Sequence, residues 1–428
     1  MAETYNFPTR ENQGTRNQIL LDIRDQLKVI SGMQVPKVTE LSHSQLHSLI
    51  SSGRASDYLK VGDQIPSTWT DGETKHTIPW DVMSHLDGRD ADHPLVTLAD
   101  GSKVPGMVLQ AHRAVPLQIA FDAKQAFYSQ DAALPAGTYN FSANVSTSWG
   151  TSGEWATTGN RSFQFTTTKE VPARGQLVFS GDPYGSKLTT MGVQTYAQFG
   201  SAAIESVPIT SGTGGTNLGT LSYTAEGNFN AIPRATYGSN DWSESALRQW
   251  LNSAAPAGSW QSQTTRWQRP HHLAATKAGF LAGLDSDFMA GVGQVLVKTE
   301  SHPNSLQKGA VIDTYDRFFP PSLRQHYLSN YLSGTAQGYS SEGETWDYWL
   351  ALAKASGRTS AWDGWSTYPE LITYDADNTS QARYVWLRSA YRWVYSSYNV
   401  GYVISSGNVS STNAYNAGVC AAPACIMV

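Results

Sequence analysis

The chain has 428 residues, more than one hydrophobic core usually spans, which sets an expectation of two or three domains. A net charge of −5 and a charged fraction of 15% supply no basic field, so nucleic acid is excluded as an expected partner. Met1–Arg10 lacks an apolar signal core and no apolar run is long enough to cross a bilayer, so neither a signal peptide nor membrane insertion is expected.

Residues 15–31 carry the first helical pattern. Thr15 is a suitable N-cap, Gly32 lies just past the end, and Leu20, Ile23, Leu27 and Ile30 make an a/d seam. Two heptads do not hold an isolated coiled coil, so the stripe needs the rest of the chain or other copies of itself. A second short helix is expected near Ser42–Ser51, with Leu46, Leu49 and Ile50 on it. From Leu59 the pattern turns to strands: Val61–Ile65, Thr77–Val82 and Met107–Leu109 are apolar runs between turn residues. From about Leu117 to Leu221 alternation is strong. Tyr139, Phe141, Ala143 and Val145 form one face, and Phe163 with Phe165 and Leu177 with Phe179 repeat it, which predicts a β-sandwich-like unit. Ser211–Gly219 is the best linker candidate. Helices are expected again at Ser243–Asn252, Pro321–Leu332 and Thr345–Ala355, before the last forty residues return to strands and turns.

Motifs of catalysis are weak throughout. Gly212-Thr213-Gly214-Gly215-Thr216-Asn217 opens like a dinucleotide fingerprint, but Asn217 holds the third glycine position and no helix pattern follows. No GxxxxGK[ST], HExxH or GxSxG occurs. His271-His272 diverge as neighbours and fit a turn better than a metal site. Asp285-Ser286-Asp287 could hold a cation, yet its setting before Phe288-Met289 reads as an acid-capped helix start. Glu342 and Glu344 could form an acid/base pair, though a solvated turn is the expectation. Cys420 and Cys425 have no histidine nearby and are read as small buried hydrophobes. No catalytic residue, no metal and no cofactor are expected.

The C-terminal stretch, about 386–428, differs from the rest. No charged side chain follows Arg392, while tyrosine, serine, asparagine and glycine are dense. Tyrosine offers rigid contact area at low entropic cost, and the small polar residues add adaptable hydrogen bonds, as in antibody loops. Five tyrosines and a tryptophan exposed together imply a partner. Tyr391, Tyr395, Tyr398, Tyr402 and Tyr415 are expected on one solvent-facing surface.

Several segments carry a resemblance. Trp386-Leu387-Arg388-Ser389-Ala390, Ser405-Ser406-Gly407-Asn408-Val409 and Asn413-Ala414-Tyr415-Asn416 resemble the variable tails of C-type-lectin-fold proteins diversified by bacteriophage retroelements, the group of major-tropism-determinant-like receptor-binding proteins. Asp241-Trp242 with Leu247-Arg248-Gln249-Trp250-Leu251-Asn252, Thr314-Tyr315-Asp316-Arg317-Phe318-Phe319-Pro320-Pro321-Ser322-Leu323, and Glu342-Gly343 with Trp346-Asp347-Tyr348-Trp349 are similar to the same family. The likeness covers 223–428 well and 60–114 weakly. It implies diversified, ligand-binding positions at Tyr391, Trp393, Tyr395, Tyr398, Tyr402, Ile404, Ser410, Thr412, Tyr415 and Ala417, with Trp386 and Arg388 as scaffold. Trp393 departs from the pattern, because no asparagine codon reaches tryptophan through adenine changes alone. The calcium-binding triplets of sugar-binding lectins are absent from the tail.

The expected fold is α+β: a C-type-lectin-like (formylglycine-generating-enzyme-like) domain from 60–114 and 223–428, an inserted β-rich unit at 115–222 and a helical attachment segment at 1–59. The expected function is ligand recognition at a virion surface, with a host cell-surface protein or glycan as receptor, other virion proteins contacted through the N-terminal segment, and a homotrimer as the assembly. A structural virion decoration protein and an enzyme on the formylglycine-generating scaffold are the alternatives.

Overall fold

A computed structural model describes residues 41–123, 238–260, 273, 276–302, 309–328, 339–358, 367–391 and 398–428, together with strand backbones within 127–211. The fold is α+β, mostly sheet with few short helices. Among the described residues, no helix is long and apolar enough to cross a membrane. The Leu20/Ile23/Leu27/Ile30 seam, the Gly212–Asn217 run and His271-His272 lie outside the described residues.

The chain first forms α1 (His43–Ser51), started by a capping box in which Ser42 and Gln45 satisfy each other's backbone N–H groups. Its Leu46 and Ile50 are buried in the main core, as is Leu59. The stretch 41–59, expected within the helical segment 1–59, thus packs on the domain core.

The central sheet has five antiparallel strands: β1 (Gln64–Asp71), β2 (Thr74–Leu86), β5 (Gly106–Ala111), β20 (Ala424–Met427) and β14 (Phe318–Phe319), in the spatial order β1-β2-β5-β20-β14. The four residues of β20 are all buried, and the strand sits between two others, with Met427 opposite Met107 and Cys425 opposite both Leu109 and Phe318. The C-terminal apolar run is therefore the middle of the sheet, and this burial on both faces explains its lack of polar alternation. On one side of the sheet Trp80 stacks on Phe288 at 5.1 Å and Trp250 lies 5.2 Å from Phe280, which also contacts Phe318 at 5.2 Å. The indole N–H groups are satisfied as burial requires: Trp80 donates to Ser67 Oγ at 2.8 Å and Trp250 to the Ala278 carbonyl at 3.0 Å. The strands β3 (Val96–Thr97) and β4 (Lys103–Val104) form a small hairpin beside it.

Residues 115–122 run beside the tail rather than into the inserted unit. Val115 N–H donates to the Ala421 carbonyl, Ile119 to Val419 and Asp122 to Ala414, at 2.8, 2.8 and 3.0 Å. Val115, Ile119 and Phe121 are in the main core. The expected boundary at 115 is corrected to just after Ala123. The chain returns at Gly238, and Ser239 N–H donates to the Asp122 carboxylate at 2.8 Å. Adjacent ends of this kind let a long insertion leave a domain intact. Within it, β6 (Phe127–Tyr128), β7 (Gly137–Val145), β8 (Gly159–Thr167), β9 (Gln176–Asp182), β10 (Lys187–Gln194) and β11 (Ala203–Ser211) form one six-stranded sheet in the order β6-β9-β10-β11-β8-β7. A sandwich was expected; the described strands make a single antiparallel sheet.

After the insertion, Asp241 and Ser245 cap successive turns, a 3-10 turn at Trp242–Glu244 and α2 (Ala246–Leu251). Asp285 caps α3 (Ser286–Ala290), accepting from the Asp287 and Phe288 N–H groups, so the acidic pair there starts a helix. The hairpin β12 (Val295–Glu300) and β13 (Val311–Asp316) follows. The helix expected over Pro321–Leu332 is not formed in its described part: 321–328 is a run of turns, with Tyr327 at φ 54°. Two prolines before it and the many contacts of this loop with other segments account for the difference. The last helix is α4 (Asp347–Ala355), with Trp349 and Ala353 buried.

Two separated motifs meet at Asp316, whose side chain has no exposure. Its carboxylate accepts from Trp242 Nε1 at 2.9 Å, from Thr314 Oγ1 at 2.7 Å and from Arg248 Nε at 2.7 Å. Removing one member of a buried charged cluster leaves the others unpaired. Asp316→Ala is expected to lower unfolding free energy by about 3 kcal/mol in a denaturant titration, while Asp313→Ala, three residues away and exposed, changes little. Equal effects would refute the cluster's role.

Candidate ligand-binding face

The tail folds as a three-stranded antiparallel sheet, β17 (Val385–Ala390), β18 (Asn399–Val403) and β19 (Val409–Asn413). Register decides which side chains can act together. Tyr402 lies opposite Trp386 on one side and Ser410 on the other, and Val400 opposite Thr412. Directly opposed residues share a face, so Tyr402, Ser410 and Thr412 belong to the face of Trp386. The Tyr402 phenol hydrogen-bonds Ser410, and burial pushes its pKa up despite that bond.

The sequence-predicted contact residues separate on burial. Tyr402, Ile404, Ser410 and Thr412 are half-buried, Tyr415 is 37% exposed and Ala417 is exposed. Tyr391 is half-buried against the core. Tyr398 is corrected: at 2% exposure it is a core residue, held in place where its carbonyl accepts from Ala414 N–H at 2.8 Å, and it has no ring surface to offer a ligand. Trp393 and Tyr395 lie outside the described residues. Trp386 is fully buried, donates its indole N–H to the Ile119 carbonyl at 2.7 Å and meets Phe121 at 5.7 Å.

The turn between β18 and β19 is closed by Ile404 N–H to the Asn408 carbonyl at 2.8 Å. Gly407 within it has φ 80°, and a Cβ there would stand 1.9 Å from the Tyr368 carbonyl oxygen. Both conformation and space require glycine at this position. The turn is thereby pinned to the loop before β15 (Thr373–Tyr374), which pairs with β16 (Ala382–Arg383).

Two tyrosines outside the predicted tail join this surface. Tyr384 is 43% and Tyr374 40% exposed, and the Tyr384 ring stacks on Tyr402 at 5.8 Å and 30°. Their signal in the sequence is the alternation Tyr384, Trp386, Arg388, which begins two residues before the segment taken as the tail. Beside them, Arg383 Nε donates to Asp375 at 2.7 Å and His76 Nδ1 lies 2.8 Å from Asp377 Oδ1.

Further along β17, Arg388 is 1% exposed. Its Nη1 donates to the Pro320 carbonyl at 3.1 Å and to Gln325 Oε1 at 2.5 Å, and its Nη2 to the carbonyls of Lys298 at 3.3 Å and Glu342 at 2.5 Å. Burial pulls its pKa down to about 10, against the pull of Glu342 and Asp316. Glu342, expected in a solvated turn, has no exposure. Its carboxyl accepts from Ser389 Oγ and from Glu300 N–H at 3.0 Å. Ser389 also receives Leu323 N–H at 3.0 Å. Burial pushes the Glu342 carboxyl up to about 7, with Arg388 and these hydrogen bonds opposing the shift. Glu344, its expected companion, stays at the surface 3.8 Å from Arg324. Sequence reasoning missed the burial because the partners come from residues 300 and 389.

Both cysteines are free and buried; burial raises Cys420 to about 11 and Cys425 well above its ordinary value, so both are thiols at neutral pH. Among the described residues, no group of three His, Cys, Asp or Glu could hold a metal.

A family model described as a domain of unknown function, DUF6273, matches residues 221–427, a little under half of the chain. No curated protein and no solved structure matches the chain. The matched stretch contains the whole tail sheet and β20, whereas β1, β2 and β5, which complete the central sheet, lie before it.

The raised Glu342 carboxyl has a definite consequence for stability. The folded protein holds its proton to about pH 7, whereas an unfolded chain releases it near 4.5, so the contribution is full below 4.5 and is lost as pH rises through 7. Glu342→Gln keeps an acceptor for Glu300 N–H. Thermal melts from pH 5 to 8.5 are expected to show a downward slope in wild type that is smaller in Glu342→Gln. Identical slopes would show that Glu342 is ionised throughout.

Proposed function

We propose that this chain is a ligand-recognition protein with a C-type-lectin-like domain, acting at a bacteriophage surface to bind a host cell-surface receptor through its C-terminal face. The observation that carries this reading is the combination within one small sheet. Trp386 and Arg388 on β17 are fixed in the core, while Tyr402 on the adjacent β18 and Ser410 and Thr412 on β19 beyond it lie in register with side chains partly free. Recognition that must change ligands needs a rigid support and an adaptable uncharged surface, and Tyr, Ser and Asn are the residues that provide the latter. The convergence of Trp242, Arg248 and Asp316 supports the family resemblance, because its separate segments share one buried cluster. Three-fold repetition of the face through residues 15–31 would raise avidity by a factor of about 10²–10⁴ over a single weak site.

Retroelement diversification leaves a mark that no structural protein carries. Deep sequencing of this gene across a natural population is expected to show substitutions at adenine positions, concentrated at codons 391, 402, 404, 410, 412, 415 and 417. Codons 386, 388 and 398, whose side chains are buried, should be invariant. Substitutions scattered evenly along the gene would remove the basis for this function.

A further inference from the structure

A polar row crosses the central sheet on the face away from Trp80. Gln64 lies opposite Asp81 in the β1–β2 pair and Asp81 opposite Gln110 in the β2–β5 pair, so the three side chains stand side by side on one face. Asp81 is 7% exposed and both its oxygens are engaged: Oδ1 accepts from Gln64 Nε2 at 2.9 Å, and Oδ2 lies 2.8 Å from His112 Nδ1. His112 is exposed and connects the row to solvent. Among the described residues, no lysine or arginine pairs with Asp81. Tyr348, on α4, feels that charge: burial first and the Asp81 carboxylate second raise its phenol above the ordinary value. Gln110 is 6% exposed, and its buried Oε1 has no hydrogen-bond partner, a state that is costly unless a donor meets it.

We infer that Gln64, Asp81, Gln110 and His112 form a binding site for a primary ammonium group. The site is separate from the tail face and does not depend on the receptor reading. Its acceptors select the ligand. Gln110 Oε1 lacks a donor, each Asp81 oxygen keeps a lone pair beyond the bond it makes, and a neutral imidazole that donates Nδ1–H to Asp81 leaves Nε2 as an acceptor. An ammonium carries three donors, no acceptor and one positive charge, and so matches acceptors grouped around a carboxylate that no lysine or arginine neutralises. An anion would be repelled by Asp81, and a quaternary ammonium would bring charge without a donor for Gln110. A guanidinium is a wide planar fork, whereas opposed side chains on adjacent strands stand about 4.5–5.5 Å apart at Cβ, which favours the compact group. A lysine side chain of a partner and a small free amine present the same three donors.

The test titrates the full chain with propylammonium chloride at constant ionic strength and follows the NMR signals of ring-labelled histidine. The His112 signal, assigned with a His112→Gln variant, is expected to shift and to saturate in the millimolar range. Tetramethylammonium, which has the charge without N–H donors, should bind wild type about tenfold more weakly, the factor lost with one hydrogen bond of this kind. Gln110→Leu should weaken propylammonium by about the same factor. That change removes an acceptor with no partner in the free protein, so the melting temperature should hold or rise, whereas a glutamine kept for the fold alone would lower it and leave affinity unchanged. Asp81→Asn keeps the shape of the side chain and removes its charge, and propylammonium binding should be lost. Nα-acetyl-lysine amide and 1,4-diaminobutane separate the sources: tighter binding of the first assigns a partner's lysine, tighter binding of the second a free polyamine, and both outcomes support the ammonium site. No saturating shift up to about 100 mM, a hundredfold above a millimolar Kd, overturns the inference. Equal affinity for tetramethylammonium, or unchanged affinity in Gln110→Leu, overturns it as well.

Discussion

The tail sheet depends on one buried guanidinium. Arg388 spreads its two terminal nitrogens over acceptors on residues 298, 320, 325 and 342, which lie in three segments separated in the sequence. A charge removed from water in this way is tolerated only when its donors find acceptors, and both terminal nitrogens do so, although Nε has none. That requirement fixes β17 against the loop after β14, against β12 and against the segment before α4 at once. Phe319 closes the arrangement with its ring 5.5 Å from the guanidinium. The Glu342 carboxyl, bound to Ser389 and Glu300 N–H, repeats the same connections one residue along β17. The half-buried positions of β18 and β19 can vary because β17, buried along its whole length, is fixed.

Two further constraints keep the domain whole despite its interruptions. The last strand of the chain is the fourth of five in the central sheet, so the ends of the domain are locked together by backbone hydrogen bonds. The inserted six-stranded sheet leaves and returns at one place, where Asp122 accepts from Ser239 N–H at 2.8 Å and from Ala246 N–H at 3.3 Å. The domain therefore closes across the insertion, and its core packs residues from 46 to 427 in one cluster.

Local patterns were legible where a residue's neighbours in sequence are also its neighbours in space. The strands around Thr77 and Met107, the acid-capped start at Asp285 and the helix ending at Ala355 follow from apolar runs, capping and helical spacing. The start of the insertion lies several residues later than expected because 115–123 pairs with 414–421, a partner no local pattern reveals. Glu342 reads as a turn residue beside Gly343 and is one, but the turn is buried by residues from three other segments. Tyr398 matches its exposed neighbours in composition, and only the fold distinguishes it by burial. Tyr374 and Tyr384 were overlooked for the converse reason: they belong to the face by geometry, while lying before the segment whose composition drew attention.

The account turns on a division between an unyielding node and a permissive surface. Its most direct measurement is the melting temperature of a combinatorial library in which Tyr402, Ile404, Ser410 and Thr412 are replaced together by Ser, Asn, Thr, Ala or Tyr, compared with Arg388→Met alone. The account predicts that most library members melt within a few degrees of wild type, whereas the single change at Arg388, which strands Gln325 and the Glu342 carbonyl, costs about 3 kcal/mol or more. Library members that unfold as readily as the Arg388 variant would show that these positions hold the fold together, and would contradict the division.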